Sequence, residues 1–321
     1  MAGIIEQPLV TVGICCYNRT EGFINTLKYI TGQTYKNLEI IISQDSHPSL
    51  DFAPIAAAAN DSRIVFYKQP AKLGMYNNFS FLLQQAGGEY FMWASDDDWW
   101  AADFIEKIMD RLTTDPDAVA GFSDFMEVDE ANERIAAYPV HLPLLQEFAI
   151  TDDVKRISNY INQFEGLGKA NLFYAICKTK ALRTTLVLDF LKEGNLPCDM
   201  LINLTVLVKG KLALVPEILR TCTVGNVKEY DQISIKPELK NYLLFYFNQG
   251  AFNLLHKKWS RYIFDHFKII ARSDLSIPQK LALYPVLYKK LLLFYYDLFC
   301  VNVTLRGYNI FSKITRQHTL N

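Results

Sequence analysis

No segment of this 321-residue chain runs ~18 apolar residues without a break, the length a helix needs to span a bilayer. The nearest, Leu281 to Val303, is cut by Pro285, Lys289, Lys290 and Asp297, so no transmembrane helix is expected. Met1 to Pro8 holds Glu6 and lacks a basic segment followed by an apolar one, so no secretory signal is read there. Cysteine is sparse. The six residues form no CxxC pair and no metal-finger spacing, in a chain too large to need disulfide staples, and a reducing cytoplasm is the expected compartment. The five histidines show no metal-ligand spacing either. Also missing are GxGxxG after the first strand, GxxxxGK[ST], HExxH and GxSxG. Their absence removes the signatures of dinucleotide-dependent dehydrogenases, P-loop enzymes, zincins and serine hydrolases.

A net charge of -1 names no partner, but the charge is unevenly spread. Asn253 to Asn321 carries eleven Lys/Arg against three Asp and no Glu, leaving 22 basic and 31 acidic side chains in the first 252 residues. Half of the residues are hydrophobic, enough for a large core in one or two domains. Leu9 to Cys16, Leu38 to Ile42, Ile64 to Tyr67 and Tyr90 to Ala94 read as buried strands. The spacing of Phe23, Leu27 and Ile30 predicts a helix between the first two, with shorter helices at Ala53 to Ala59 and Asn77 to Ala86. This alternation implies an α/β fold with a mostly parallel sheet. Further along, helices are expected at Asp103 to Leu112, Thr151 to Phe164 and Asp199 to Val208. Strands are expected at Ala118 to Phe125, Leu172 to Ile176, Leu212 to Val215 and Ile218 to Val224, and an irregular excursion at Asp129 to Pro143. A boundary near Val227 to Pro237 divides residues 1–228 from a helical, basic and aromatic-rich region, 229–321.

Asp96, Asp97 and Asp98 follow the fourth strand directly, at the carboxyl edge where open α/β sheets bind ligands. Adjacent carboxylates raise one another's pKa unless a cation holds them ionised, and hard divalent ions prefer oxygen ligands. The competing role is a cap for the next helix, which needs one Asp and not three.

The order of three segments resembles the family 2 glycosyltransferases. These are Val10 to Arg19, Gln33 to Asp45, and Gly88-Glu89-Tyr90 leading to Asp96-Asp97-Asp98. The resemblance covers roughly residues 8 to 225 and implies the GT-A nucleotide-sugar-binding fold. It implies a donor site of Cys16, Tyr17, Arg19, Asp45, Lys72, Asn78 and Asp96, with Tyr17 stacking on a pyrimidine and Asp45 accepting from its ring N–H. That donor is present in uracil and thymine but not in neutral cytosine, so UDP or dTDP is expected. Mn²⁺ or Mg²⁺ would be held by Asp97 and Asp98. In this family the acidic motif is Asp-x-Asp-Asp, and Ala94 takes its first place. Asp199 matches the catalytic base of an inverting transfer, in Pro197-Cys198-Asp199 where Gly-Glu-Asp is frequent. Lys72 is divided between phosphate contact and solvent, Asn78 between the donor and the helix terminus, and Asp199 between base and helix-dipole partner.

The implied activity is transfer of a sugar to a hydroxyl of a glycan or lipid-linked acceptor, in cell-surface polysaccharide synthesis. A noncatalytic nucleotide-sugar-binding or assembly subunit is the alternative, motivated by Ala94 and Cys198. A nucleotidyltransferase lacks the basic phosphate loop it would need. The tail, with Trp259, Tyr262 and Phe267 among Lys257, Arg261 and Lys268, fits a peripheral membrane-surface contact, a homodimer or a packed helical domain. No nucleic-acid motif supports a nucleic-acid partner.

Overall fold

The computed structural model describes residues 7–128, 141–163, 165, 168–194, 197–223 and 252–296, the side chains of 252–258 excepted. The expected boundary near Val227 to Pro237 and nearly all of the excursion from Asp129 lie outside the described residues, as does Phe164. The amino-terminal half runs β1 (Val10–Cys16), α1 (Thr20–Thr31), β2 (Leu38–Gln44), α2 (Ala53–Ala58), β3 (Ile64–Lys68), α3 (Met75–Gln85) and β4 (Tyr90–Ala94). In β1 and β4 nearly every residue is buried, as in strands covered by helices on both faces. On α1, Phe23, Thr26, Leu27 and Ile30 form the buried stripe, at the spacing that puts them on one face.

β5 (Trp99–Trp100) follows the acidic loop, then α4 (Phe104–Thr114), β6 (Ala118–Val128), α5 (Leu142–Gln146) and α6 (Asp153–Asn162). A 3-10 helix, Lys169–Tyr174, leads to β7 (Ile176–Lys178), α7 (Thr179–Leu182), α8 (Thr185–Glu193), α9 (Cys198–Leu207) and β8 (Lys211–Thr223). Two helices, α10 (Phe252–Arg272) and α11 (277–296), end the described chain. The sheet order is β3-β2-β1-β4-β7-β6-β8-β5. β1 pairs in parallel with β2 and β4, and β6 with β8, whereas β7 and β5 join antiparallel.

Two expectations need correction, and the competing role of the acidic run falls. Leu172 to Tyr174 is 3-10 helix, its apolar run buried against the sheet, and the strand begins only at Ile176. The segments Leu212 to Val215 and Ile218 to Val224 are one strand, β8, because Pro216-Glu217 bulges out between Val215 and Ile218 while pairing with β6 continues on both sides. None of Asp96, Asp97 and Asp98 caps α4. Its cap position is Asp103, whose side chain makes no capping bond.

Buried residues of α10 and α11, among them Tyr262, Ile270, Leu283 and Leu287, belong to the same apolar core as the sheet. An ionic cluster joins them to it. Glu165 accepts from Lys169 at 3.1 Å, from Lys290 of α11 at 2.5 Å and from the Tyr262 hydroxyl of α10 at 3.2 Å. Burial alone would raise the Glu165 carboxyl, but the two lysines hold it well below the usual carboxylate range.

Candidate active site

A cleft of about 580 Å³ opens at the carboxyl ends of β1, β2 and β4, a volume typical of small-molecule sites. Strand polarity explains the placement. Parallel β1, β2 and β4 end together, so Tyr17, Asp45 and Asp96, each just past its strand, come to one edge.

Asp45 is 4% exposed and organises one end. Its Oδ1 accepts from the backbone N–H of Ser46 at 2.9 Å and of Leu73 at 2.7 Å, and its Oδ2 accepts from Gly74 N–H at 2.9 Å. A carboxylate offers about four lone pairs, so one on Oδ2 stays free. Gly74 has φ 76 and ψ 161, a backbone region open only to glycine. Asp45 therefore ties the segment 72–74 against β2. Lys72 Nζ lies 4.8 Å from the Tyr17 ring centroid and 3.3 Å from its hydroxyl, while His47 meets the same ring edge-on.

At the other end α1 supports the acidic loop. Thr26 Oγ1 donates to the Ser95 carbonyl at 3.0 Å, and a Cβ at Gly22 would collide with the Asp96 carbonyl oxygen. Arg19 binds Asp97 and lies 3.6 Å from Asp96, and Ser95 Oγ donates to the other Asp97 oxygen. Burial, then the Asp97 charge, push the Asp96 carboxyl up to about 6 despite Arg19. Asp98 differs from its neighbours. It is 6% exposed and paired with Arg220, whose guanidinium lies over the rings of Trp100 and Tyr174. Burial opposes the guanidinium charge, but Asp98 outweighs it and the Arg220 pKa is raised. Asp98, expected as the second metal ligand, thus has its Oδ2 taken by a buried guanidinium, unlike the more exposed Asp97.

Among the described residues no three His, Cys, Asp or Glu stand together as a metal site. Asp96 and Asp97 supply two carboxylates with one 57% exposed Arg19 side chain as counter-ion. Mg²⁺ is commonly held by one or two carboxylates with phosphate and water completing the shell. The pair therefore fits a cation that arrives with a diphosphate.

Three other expected residues sit apart from the cleft lining. Cys16 is 1% exposed and turned toward the Ser43 carbonyl, while Cys15 lines the cleft with its thiol pushed by burial up to about 12, hence neutral. Asn78 is fully buried, donating to the Ser43 carbonyl and to Cys15 Sγ at 3.1 Å each, so it braces α3 against β1 and β2. Asp199, in the first turn of α9, is half-buried where every other residue of that helix is fully buried, and has Tyr76 beside it. Burial pushes its carboxyl up to about 6, against the Met200 N–H that it accepts at 2.8 Å.

The sequence pointed to neither Glu127 nor Arg220. Both line the cleft together with Asn171 and Tyr174. They come from strands β6 and β8 on the far half of the sheet, and no local motif marks them.

Residues 11–168 match the family described as Glycosyl transferase family 2. An uncharacterized glycosyltransferase of Haemophilus influenzae is 30% identical over 122 residues, 38% of each chain. The Escherichia coli UDP-Glc:alpha-D-GlcNAc-diphosphoundecaprenol beta-1,3-glucosyltransferase WfaP is 32% identical over 107 residues, 33% of this chain and 42% of that one. The matches thus span less than half the length of either relative. Among solved structures, S. aureus TarS 1-349 superposes with a TM-score of 0.58 at 13% identity, covering 84% of this chain and 68% of that one. Its complex with UDP-GlcNAc gives 0.54 at 12%, covering 88% and 71%. The sequence match takes in Tyr17, Asp45 and Asp96 to Asp98 on the walls of the cleft, so residues 11–168 belong to glycosyl transferase family 2, and the shared architecture gives the chain the GT-A fold.

Proposed function

We propose that the chain transfers a sugar from a UDP- or dTDP-activated donor to a hydroxyl of a glycan or lipid-linked acceptor, with inversion at the anomeric carbon, in cell-surface polysaccharide synthesis. The observation that carries this is the division of one cleft into two chemically different ends. Tyr17 offers an aromatic face and Asp45 one free lone pair on Oδ2, a combination suited to a pyrimidine with a ring N–H. Arg19, Asp96 and Asp97 offer a guanidinium and a carboxylate pair suited to a diphosphate and its cation. Lys72, beside Tyr17, is placed to meet phosphate or ribose from the same side.

In the reaction, Arg19 orients the diphosphate by paired N–H donors and balances part of its charge. Mn²⁺ or Mg²⁺ held by Asp96 and Asp97 would add Lewis-acid stabilisation of the departing nucleoside diphosphate. Asp199 is the proposed base that takes the acceptor hydroxyl proton. Its carboxyl near 6 is a stronger base than an exposed Asp and still ionised at neutral pH. The lipid-linked acceptor is supported by the name of the E. coli relative, which acts on a diphosphoundecaprenol-linked sugar.

One observation favours the noncatalytic alternative: Asp199 is not among the residues that line the cleft. Release of UDP from a panel of UDP-sugars, with and without glycan acceptors, tests the two. The catalytic reading predicts acceptor-stimulated UDP release that Asp199→Asn abolishes while UDP binding persists. Binding without release, for every donor and acceptor, supports the alternative.

No helix among the described residues is long and apolar enough to cross a membrane. The outer face of α11 nevertheless exposes Ile277 at 74%, Leu281, Tyr288, Leu292 at 70% and Tyr296, with Lys289 as its one charged residue. Residues 253–321 carry eight more basic than acidic side chains, which opposes self-pairing and suits an anionic lipid surface. A peripheral membrane contact through this face is therefore part of the proposal. Co-sedimentation with vesicles containing phosphatidylglycerol, lost in Leu281→Glu/Leu292→Glu, is the expected result, and binding unchanged in that variant contradicts it.

A further inference from the structure

Beyond the base and diphosphate ends, the cleft has a third wall that nothing above uses. Glu127, near the end of β6, lines it and is 8% exposed. Among the described residues its hydrogen-bond partner is a single amide: Asn171 Nδ2 donates to Glu127 Oε1 at 3.4 Å. The orientation of that amide is fixed from the other side, because Arg220 Nη1 donates to Asn171 Oδ1 at 2.8 Å and leaves Nδ2 toward Glu127. Arg220 itself is engaged with Asp98 through Nε and Nη2. Glu127 is thus a buried acid contacted by a relay, Asp98 to Arg220 to Asn171, and has no direct ion pair among the described residues.

A carboxylate buried with one long hydrogen bond lacks donors, and burial pushes its carboxyl up to about 7 despite the Arg220 charge. A ligand that fits must bring donors without negative charge. A diphosphate would be repelled, and a pyrimidine is already matched at the Tyr17 end. Sugar hydroxyls meet the requirement, each giving a neutral O–H to a charged acceptor.

Resting on the donor reading above, we propose that Glu127, held by Asn171, binds a hydroxyl of the donor sugar and so determines which nucleotide sugar the cleft accepts. The relay makes the choice sharp. Asn171 is held by Arg220, so its Nδ2 favours one position of the carboxylate over others. A hydrogen bond to a charged group contributes about 1.5–3 kcal/mol, or roughly 10- to 150-fold in affinity between epimers.

The test is isothermal titration, with Mn²⁺ present, of UDP, UDP-glucose, UDP-galactose, UDP-GlcNAc and UDP-GalNAc against wild type, Glu127→Gln and Glu127→Ala. Wild type is expected to prefer one sugar configuration by about tenfold or more. Glu127→Ala is expected to reduce that preference to within about threefold while UDP binds as before, and Glu127→Gln, which still accepts through its carbonyl, to keep part of it. A purely structural role for Glu127 would move UDP affinity or the unfolding midpoint instead. The proposal is overturned if wild type binds all four sugars alike, if Glu127→Ala keeps the wild-type ranking, or if UDP affinity falls in step with the sugars. Wild type that binds no nucleotide would overturn the donor reading as well, which separates the two failures.

Discussion

Arg220 donates from Nε at 3.0 Å, and also from Nη2, to a single carboxylate oxygen of Asp98, with the guanidinium over the rings of both Trp100 and Tyr174. Because β5 pairs antiparallel with β8, Trp100 lies opposite Arg220 and the acidic loop is fastened to the far half of the sheet. Removing one partner leaves a buried charge. Asp98→Asn is predicted to cost about 3–5 kcal/mol in urea denaturation, with the double change Asp98→Leu/Arg220→Met much nearer to wild type. Asp98→Asn protein that still folds should keep its response to Mn²⁺, since Asp97 and not Asp98 is the proposed ligand.

Asp45→Asn places an amide where Oδ1 and Oδ2 accept from three backbone N–H groups. At least one N–H then faces an NH₂ donor. Faster hydrogen exchange at Leu73 and Gly74 is predicted, with UDP affinity reduced about tenfold or more from loss of one charge-assisted bond. Unchanged exchange at both amides would contradict the anchoring role.

The Glu165 cluster makes the carboxy-terminal helices part of the core. Glu165→Ala strips Lys169 and Lys290 of their shared counter-ion, and a loss of about 3–5 kcal/mol is predicted. Chemical denaturation should show one transition seen alike by tryptophan fluorescence and far-ultraviolet circular dichroism. Two separated transitions would show that the helices fold independently.

The buried carboxyls should make stability depend on pH in opposite senses on the two sides of about pH 5. The raised carboxyls, Glu127 at about 7 and Asp199 at about 6, bind protons more tightly in the folded than in the unfolded state. Their contribution is full below about pH 4 and is lost as pH rises through 6 to 7. Glu165 is depressed, so its contribution is present above about pH 4.5 and is lost below. Buried His266 and Lys169, both depressed, act in the opposite sense over the upper range, so the contribution is read by difference in the unfolding midpoint: Glu127→Gln is predicted to lose less of its stability than wild type as pH rises from 5 to 8.

The half of the site set by local pattern was legible in the sequence. β1, β2 and β4 are apolar runs that end at Tyr17, Asp45 and Asp96, and parallel alternation puts such ends at one edge. Glu127 and Arg220 were not legible, because they come to the cleft through the order β4-β7-β6-β8, a matter of long-range pairing. The 3-10 helix was misread for a physical reason: Leu172-Phe173 is as buried as a strand, and a short apolar run has no period to separate the two. Pro216 hid the continuity of β8, since a proline reads as a strand end when the bulge that accommodates it cannot be seen. Asp98 looked equivalent to Asp97 until its partner 122 residues away came into view.

The central claim is that the cleft takes a pyrimidine nucleotide and a divalent cation together. A thermal-shift panel of UDP, dTDP, GDP, CDP and ADP, each with and without Mn²⁺, on wild type and Asp97→Ala, tests it most directly, because a ligand selective for the native state raises its apparent stability. The prediction is a Mn²⁺-dependent rise with UDP or dTDP that is absent in Asp97→Ala, with little response to CDP, GDP or ADP. No shift with any nucleotide, from wild-type protein shown to be folded, would contradict the account.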